Sequence, residues 1–237
     1  MNHGFASALC AWLALSGGAA AAAESVVVLP TDKGGSISYL LVTKSDHPQY
    51  TIIGFPGGQG VFNASESNGS IHFSAGGNFV IRTRNLMVDD KFAMALTDAS
   101  SDPLRMGKIV DDLKRRYPGT HVYVMSTSMG TLDSMSLSMS LGDRIDGAIH
   151  TSSMSQIGSF PFDQTKVRQL IVHHYNDGCR ATSYGSAKSA SEKYHIKLIT
   201  VTGGTGTGDP CEPFDHHGYR GVEKQTIDAI KQWIRQE

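Results

Sequence analysis

What is scarce in this chain narrows its function before any motif is read. Lysine plus arginine number 21 and aspartate plus glutamate 22 among 237 residues, a formal net charge of −1. No excess of either sign therefore offers a face to nucleic acid or to an anionic membrane. No apolar run is long enough to cross a bilayer; the best candidate, residues 6–15, is about half the length required. Internal repeats and linkers are absent, and low complexity is confined to the alanine-rich start. No Gly-Lys-Ser/Thr follows a glycine-rich turn, which argues against a phosphate cradle. Histidines and cysteines nowhere fall at metal-ligand spacing: His173-His174 and His216-His217 are adjacent pairs, and neighbours on a strand point to opposite faces. Neither a metal nor a cofactor is expected, nor a nucleic-acid partner.

Cysteine is also rare, with Cys10, Cys179 and Cys211 as the full set. Residues 1–23 read as a signal peptide: an apolar stretch at 6–15, Gly17-Gly18, and Ala21-Ala22-Ala23 before Glu24, the Ala-x-Ala cleavage pattern. The start departs from that pattern in carrying His3 but no lysine or arginine. Leu9-Cys10 is not a lipoprotein site, because Ser7-Ala8-Leu9 lacks the aliphatic and small residues it needs. Cleavage would remove Cys10 and leave Cys179 and Cys211, an even pair in an exported chain, where a disulfide is expected. Closing a loop of about thirty residues would contribute roughly 3–4 kcal/mol. The expected location is periplasmic or extracellular, with no stable membrane insertion once the leader is gone.

The remainder, 24–237, has the length and apolar content of one α/β domain. Strands are expected at 26–29, 36–42, 50–55 and 92–96, then at 121–125, 145–149, 169–172 and 196–201. Helices are expected at 103–117, with Leu104, Ile109, Val110 and Leu113 near one face, and at 129–141, 183–194 and 221–234. The polar, glycine-rich stretch 63–78 reads as a surface loop. Strands spaced by helix-length segments imply right-handed crossovers and a mostly parallel sheet with helices on both faces.

One corner of this pattern carries chemistry. Ser126-Thr127-Ser128-Met129-Gly130 follows an apolar strand and opens a helix. That is the context of a nucleophile elbow, with Ser126 in place of the first glycine of G-x-S-x-G. Asp177 follows the strand at 169–172, and Asp215-His216-His217-Gly218 precedes the last helix. In a parallel sheet, sites form at the carboxyl ends of strands. The order Ser, Asp, His differs from the trypsin and subtilisin orders.

On these residues the chain resembles the α/β-hydrolases, in particular their small, secreted, lid-poor bacterial members. The motifs carrying the resemblance are Phe55-Pro56-Gly57-Gly58, the Ser126 to Thr131 elbow, Asp177-Gly178-Cys179-Arg180, and Asp209-Pro210-Cys211-Glu212-Pro213-Phe214 running into His217-Gly218-Tyr219. The resemblance implies Ser128 as nucleophile, Asp177 as the acid and His217 as the base. The types fit the chemistry: a serine hydroxyl needs an imidazole to take its proton, and the imidazole needs a carboxylate to fix its tautomer. Rivals stand beside each. Ser128 could cap a helix, His216 could replace His217, and Asp98, Asp209 or Asp215 could replace Asp177. The oxyanion hole would combine the Met129 N–H with one from Gly58 or Gln59.

The function expected is an exported serine hydrolase cleaving carboxylic esters, small or polymeric, through an acyl-enzyme. The short segment 151–166 leaves little room for a cap and predicts an open pocket. The alternatives are a hydrolase-like binding protein that has lost its chemistry, and an acyltransferase or peptidase on the same fold.

Overall fold

The computed structural model describes residues 21–32 and 34–236. All but the last three residues of the expected leader, Cys10 included, lie outside the described residues. Strands β1 (Ala23–Pro30) and β2 (Ser36–Thr43) form an antiparallel hairpin, with Ala23 opposite Thr43 and Pro30 opposite Ser36. β3 (Tyr50–Phe55) is followed by a small hairpin of β4 (Ser65–Ser67) and β5 (Ser70–His72), then by the one-turn helices α1 (Phe79–Arg82) and α2 (Arg84–Met87). From β6 (Phe92–Leu96) the chain alternates: α3 (Pro103–Arg116), β7 (His121–Thr127), α4 (Gly130–Ser140), β8 (Gly147–Thr151), β9 (Arg168–His174), α5 (Tyr184–Tyr194), β10 (Lys197–Val201) and α6 (Glu223–Ile234).

The eight long strands make one sheet in the order β1-β2-β6-β3-β7-β8-β9-β10. β1–β2 and β2–β6 are antiparallel, and every pairing from β6 to β10 is parallel. The sequence explains the burial. β6 and β8 are buried at every position and β3 and β7 at all but the first, as parallel strands covered on both faces must be. β1, at the edge, alternates instead. One core face packs α6 through Ile227, Ile230, Trp233 and Ile234; the other packs α3 through Met106, Ile109, Val110 and Leu113. α3 begins where Asp102 accepts the Leu104 N–H ahead of Pro103 and ends on Lys114-Arg115-Arg116, each suited to its end of the helix dipole. After β3 the chain steps outward to β6 and returns on the other side at β7. The carboxyl ends of β3 and β7 therefore flank the switch point where open α/β sheets bind ligands.

Three expectations need correction. The stretch 63–78 lies at the surface but is not a loose loop: Asn68 and Gly69, both at positive φ (50° and 71°), turn a hairpin, while Phe62 and Ala64 are buried beside it and Phe62 stacks on Phe73 at 5.2 Å. Leu104 is exposed rather than on the buried stripe of α3, since it sits in the first turn before the helix meets the sheet. β7, β8 and β9 each run two residues past their expected ends, to Thr127, Thr151 and His174.

Candidate active site

β7 delivers Ser128 to the carboxyl edge of the sheet and α4 starts at Gly130. Ser128 stands at φ 53°, left-handed backbone that a non-glycine residue rarely adopts. What holds it there is close packing from two sides. The Ser128 N–H donates to the Thr151 carbonyl at the end of β8 (3.1 Å), and its own carbonyl accepts from the Thr131 N–H and hydroxyl. The loop after β3 presses on the elbow: a Cβ on Gly57 would stand 2.5 Å from the Thr127 oxygen, and one on Gly130 would stand 2.6 Å from the Pro56 oxygen. Both glycines are thus required by approach of backbone to backbone. Ser126 tolerates its position because its side chain turns inward, donating to Ser134 (2.7 Å), which in turn meets His150 Nδ1 (2.8 Å). His150 is fully buried, and burial lowers its pKa to about 4.

The structure brings Asp177 and His217 together. His217 Nδ1 lies 3.0 Å from Asp177 Oδ2, with the Asp177 side chain fully buried and that of His217 nearly so. The Thr182 hydroxyl also donates to Oδ2 (3.0 Å), and the Cys179 N–H donates to Oδ1 (3.0 Å). Burial by itself would raise the Asp177 pKa. Hydrogen bonds from His173 and His217, the His217 charge and the Cys179 N–H outweigh it and hold this carboxyl well below the usual carboxylate range. The Cys179–Cys211 disulfide is formed and ties the loop of Asp177 to the loop before His217.

Ser128 and His217 line one cavity of about 460 Å³, whose walls include Phe79, Met129, Met154, Pro213 and both disulfide cysteines. Among the described residues the Ser128 hydroxyl makes no hydrogen bond to His217; in unliganded sites this contact is commonly long and tightens with substrate. Gly57, Gly58 and Met129 line the cavity, and Gln59 does not; it is exposed beyond the turn closed by the Gly60 N–H on the Gly57 carbonyl. From the segment 152–167, folded as two single 3-10 turns, only Met154 reaches the cavity. A larger hollow of about 690 Å³ around Arg82, Glu223 and Lys224 holds none of these groups and is an open surface cleft. Among the described residues, no group of three His, Cys, Asp or Glu is placed to hold a metal ion.

The rivals have other work. Asp98 accepts the Phe62 and Asn63 N–H groups and pairs with Arg105, Asp209 accepts the Cys211 N–H, and Asp215 accepts from His216 and Gly208. His216 stacks on His174 (4.6 Å) and does not line the cavity. Four further residues around the site carry no motif that marks them by sequence as part of it. The Ser152 hydroxyl donates to the His217 carbonyl (2.6 Å), and Tyr219, fully buried, accepts the Ser152 N–H and donates to the Val172 carbonyl (2.8 Å each). Thr182 and His173 surround Asp177. Tyr219 alone had a signal, its place directly after His217-Gly218.

By sequence, no family model and no curated protein matches the chain. By structure, many solved chains do. A cold-adapted esterase from an Arctic intertidal metagenomic library superimposes with a TM-score of 0.59 at 12% identity, over 90% of this chain and 94% of that one. A serine hydrolase without lid from Xanthomonas campestris gives 0.59 at 11%, over 89% and 94%. The chain has the α/β-hydrolase fold. A candidate dipeptidyl aminopeptidase IV from Bacteroides ovatus gives 0.60 at 13%, covering 91% of this chain but 36% of its own length, so the α/β-hydrolase fold is there one part of a longer protein.

Proposed function

We propose that the protein is an exported serine hydrolase that cleaves carboxylic esters. Ser128 Oγ attacks the ester carbonyl as His217 takes its proton, and Asp177 holds the ring and offsets the imidazolium charge. The tetrahedral oxyanion is met by the Met129 N–H and by an N–H of the turn at Gly58. His217 then gives its proton to the leaving alcohol. Water, deprotonated in turn by His217, attacks the acyl-serine and releases the acid and Ser128.

The observation that carries this reading is a serine held at φ 53° on a strand-to-helix corner, opening into the same cavity as a histidine bonded to a buried, ionised aspartate. Backbone strain of this kind costs about 1–3 kcal/mol and persists where the surroundings enforce it. The short 152–167 segment leaves the cavity without a cap, which suits short or bulky acyl groups. Export rests on the leader pattern and the disulfide.

The test is a fluorophosphonate probe on the purified protein with peptide mapping. The expected result is one adduct, on Ser128, together with turnover of p-nitrophenyl esters. No adduct, or an adduct on Ser126, contradicts the reading. An adduct without ester turnover points instead to amide cleavage or to acyl transfer.

A further inference from the structure

Asp177 is approached by a second histidine that the proposed reaction does not use. His173, at the end of β9, is completely buried; its Nε2 lies 3.2 Å from the Thr182 carbonyl oxygen and 3.3 Å from Asp177 Oδ2. Both neighbours are acceptors, so Nε2 must carry the proton. Its Nδ1 is buried and has no hydrogen-bond partner among the described residues. An N–H at Nδ1 would have nothing to receive it, so the tautomer that fits the surroundings is Nε2–H. The two acceptors sit at the two ends of the segment that carries the acid, since Thr182 itself donates to Asp177 and approaches His217 Nδ1 at 3.3 Å.

We propose that His173 is a positioning residue for Asp177: a three-centre donor that anchors the 177–182 segment to β9 and turns the carboxylate toward His217. The proposal rests on the reading of Asp177 and His217 as acid and base. His173 leaves one Asp177 oxygen with donors from three directions, His217, Thr182 and His173, so the carboxylate cannot swing away when His217 gains a proton. The titratable groups acting on Asp177 are His173 from β9 and His217 from the segment before α6, while His174 and Tyr219 feel its charge. His173 faces Asp177 and the ring of Tyr184 from α5, 6.1 Å away, with His174 beside it.

Two measurements test this. Histidine 15N NMR on the intact protein at neutral pH should find the His173 proton on Nε2; an Nδ1–H tautomer overturns the proposal. In kinetics, His173→Leu should lower kcat about ten-fold with KM within about two-fold, and His173→Gln, which keeps a donor, should recover to within about three-fold of the parent. The downfield His217 Nδ1–H proton should shift in His173→Leu and return toward its place in His173→Gln. A folded His173→Leu with unchanged kcat, or a loss confined to KM, overturns the proposal. If His173→Leu does not fold, the tautomer measurement decides alone. A parent protein inactive on esters would count against the functional reading, while the tautomer measurement would still stand.

Discussion

On the proposed function, Gly57→Ala should abolish most ester turnover without unfolding the protein. The added Cβ would stand 2.5 Å from the Thr127 carbonyl oxygen, 2.8 Å from the Ser128 Cβ and 3.3 Å from the Met129 nitrogen. All three neighbours belong to the elbow, two of them backbone atoms, so none can rotate aside as the end of a long side chain would. Restoring ordinary contact requires a displacement of roughly 0.6–0.9 Å between the loop and the nucleophile, and a misplacement of about 1 Å can cost 10²-fold in rate. Overpacking costs about 1–3 kcal/mol, less than the stability of a typical domain. The expected outcome is a kcat/KM on p-nitrophenyl acetate lower by about 10²-fold, a parallel fall in the fluorophosphonate labelling rate, and an unchanged circular dichroism spectrum at 25 °C. Gly208→Ala is the control, because its Cβ meets nothing within 4 Å and its backbone is not left-handed; it should stay within about two-fold. Retention of more than about a third of the parent activity by Gly57→Ala would refute the packing of this loop on the elbow.

Asp177→Asn should lower kcat by about 10⁴-fold, since an amide supports the wrong histidine tautomer. Because the Asp177 pKa is depressed on folding, the stability it contributes is complete above the unfolded value of about 3.9 and is lost as pH falls from there toward the folded value; acid unfolding below about pH 4 should be less steep in Asp177→Asn, and equal slopes would contradict this. The neutral His150 acts in a higher window: with its pKa lowered to about 4, stability is full above the unfolded value of about 6.5 and falls between there and about pH 4, by at most about 3 kcal/mol. Urea melts at about pH 7 and pH 4.5 check this, and His150→Gln should lose less over that interval than the parent. Reduction of Cys179–Cys211 should lower Tm, by the equivalent of about 3 kcal/mol, and should cut activity at a temperature where the sheet persists, because both cysteines line the cavity. Alkylatable thiols at both positions in the unreduced protein, purified from an oxidising compartment, would contradict it.

The sequence alone placed the parallel strands, because continuous apolar runs between helix-length segments have few other solutions, and the elbow was visible because strand, serine and helix are contiguous. The Asp177–His217 contact was legible only as chain order, since forty residues separate the two and the sheet topology brings them together. The hairpin at 65–72 was missed although Asn68-Gly69 signals its turn: its strands are three residues each and polar, too short to show alternation. Helices of one turn, such as 79–82, show no periodicity at all. Ser152 and Tyr219 act through backbone groups 47 to 67 residues away, contacts that leave no local trace in a sequence, while Thr182 and His173 reach the Asp177 carboxylate from nearby positions whose side-chain directions only the fold sets.

The central claim is that Ser128 is the nucleophile, and Ser128→Ala tests it most directly. Its side chain lines the cavity and contributes little to the core, so the variant should keep the parent's circular dichroism spectrum and melting temperature to within about 2 °C. Turnover of p-nitrophenyl acetate should fall by about 10⁴-fold or more, leaving what the oxyanion donors supply without a nucleophile. A folded Ser128→Ala protein that keeps a tenth of the parent rate would contradict the account.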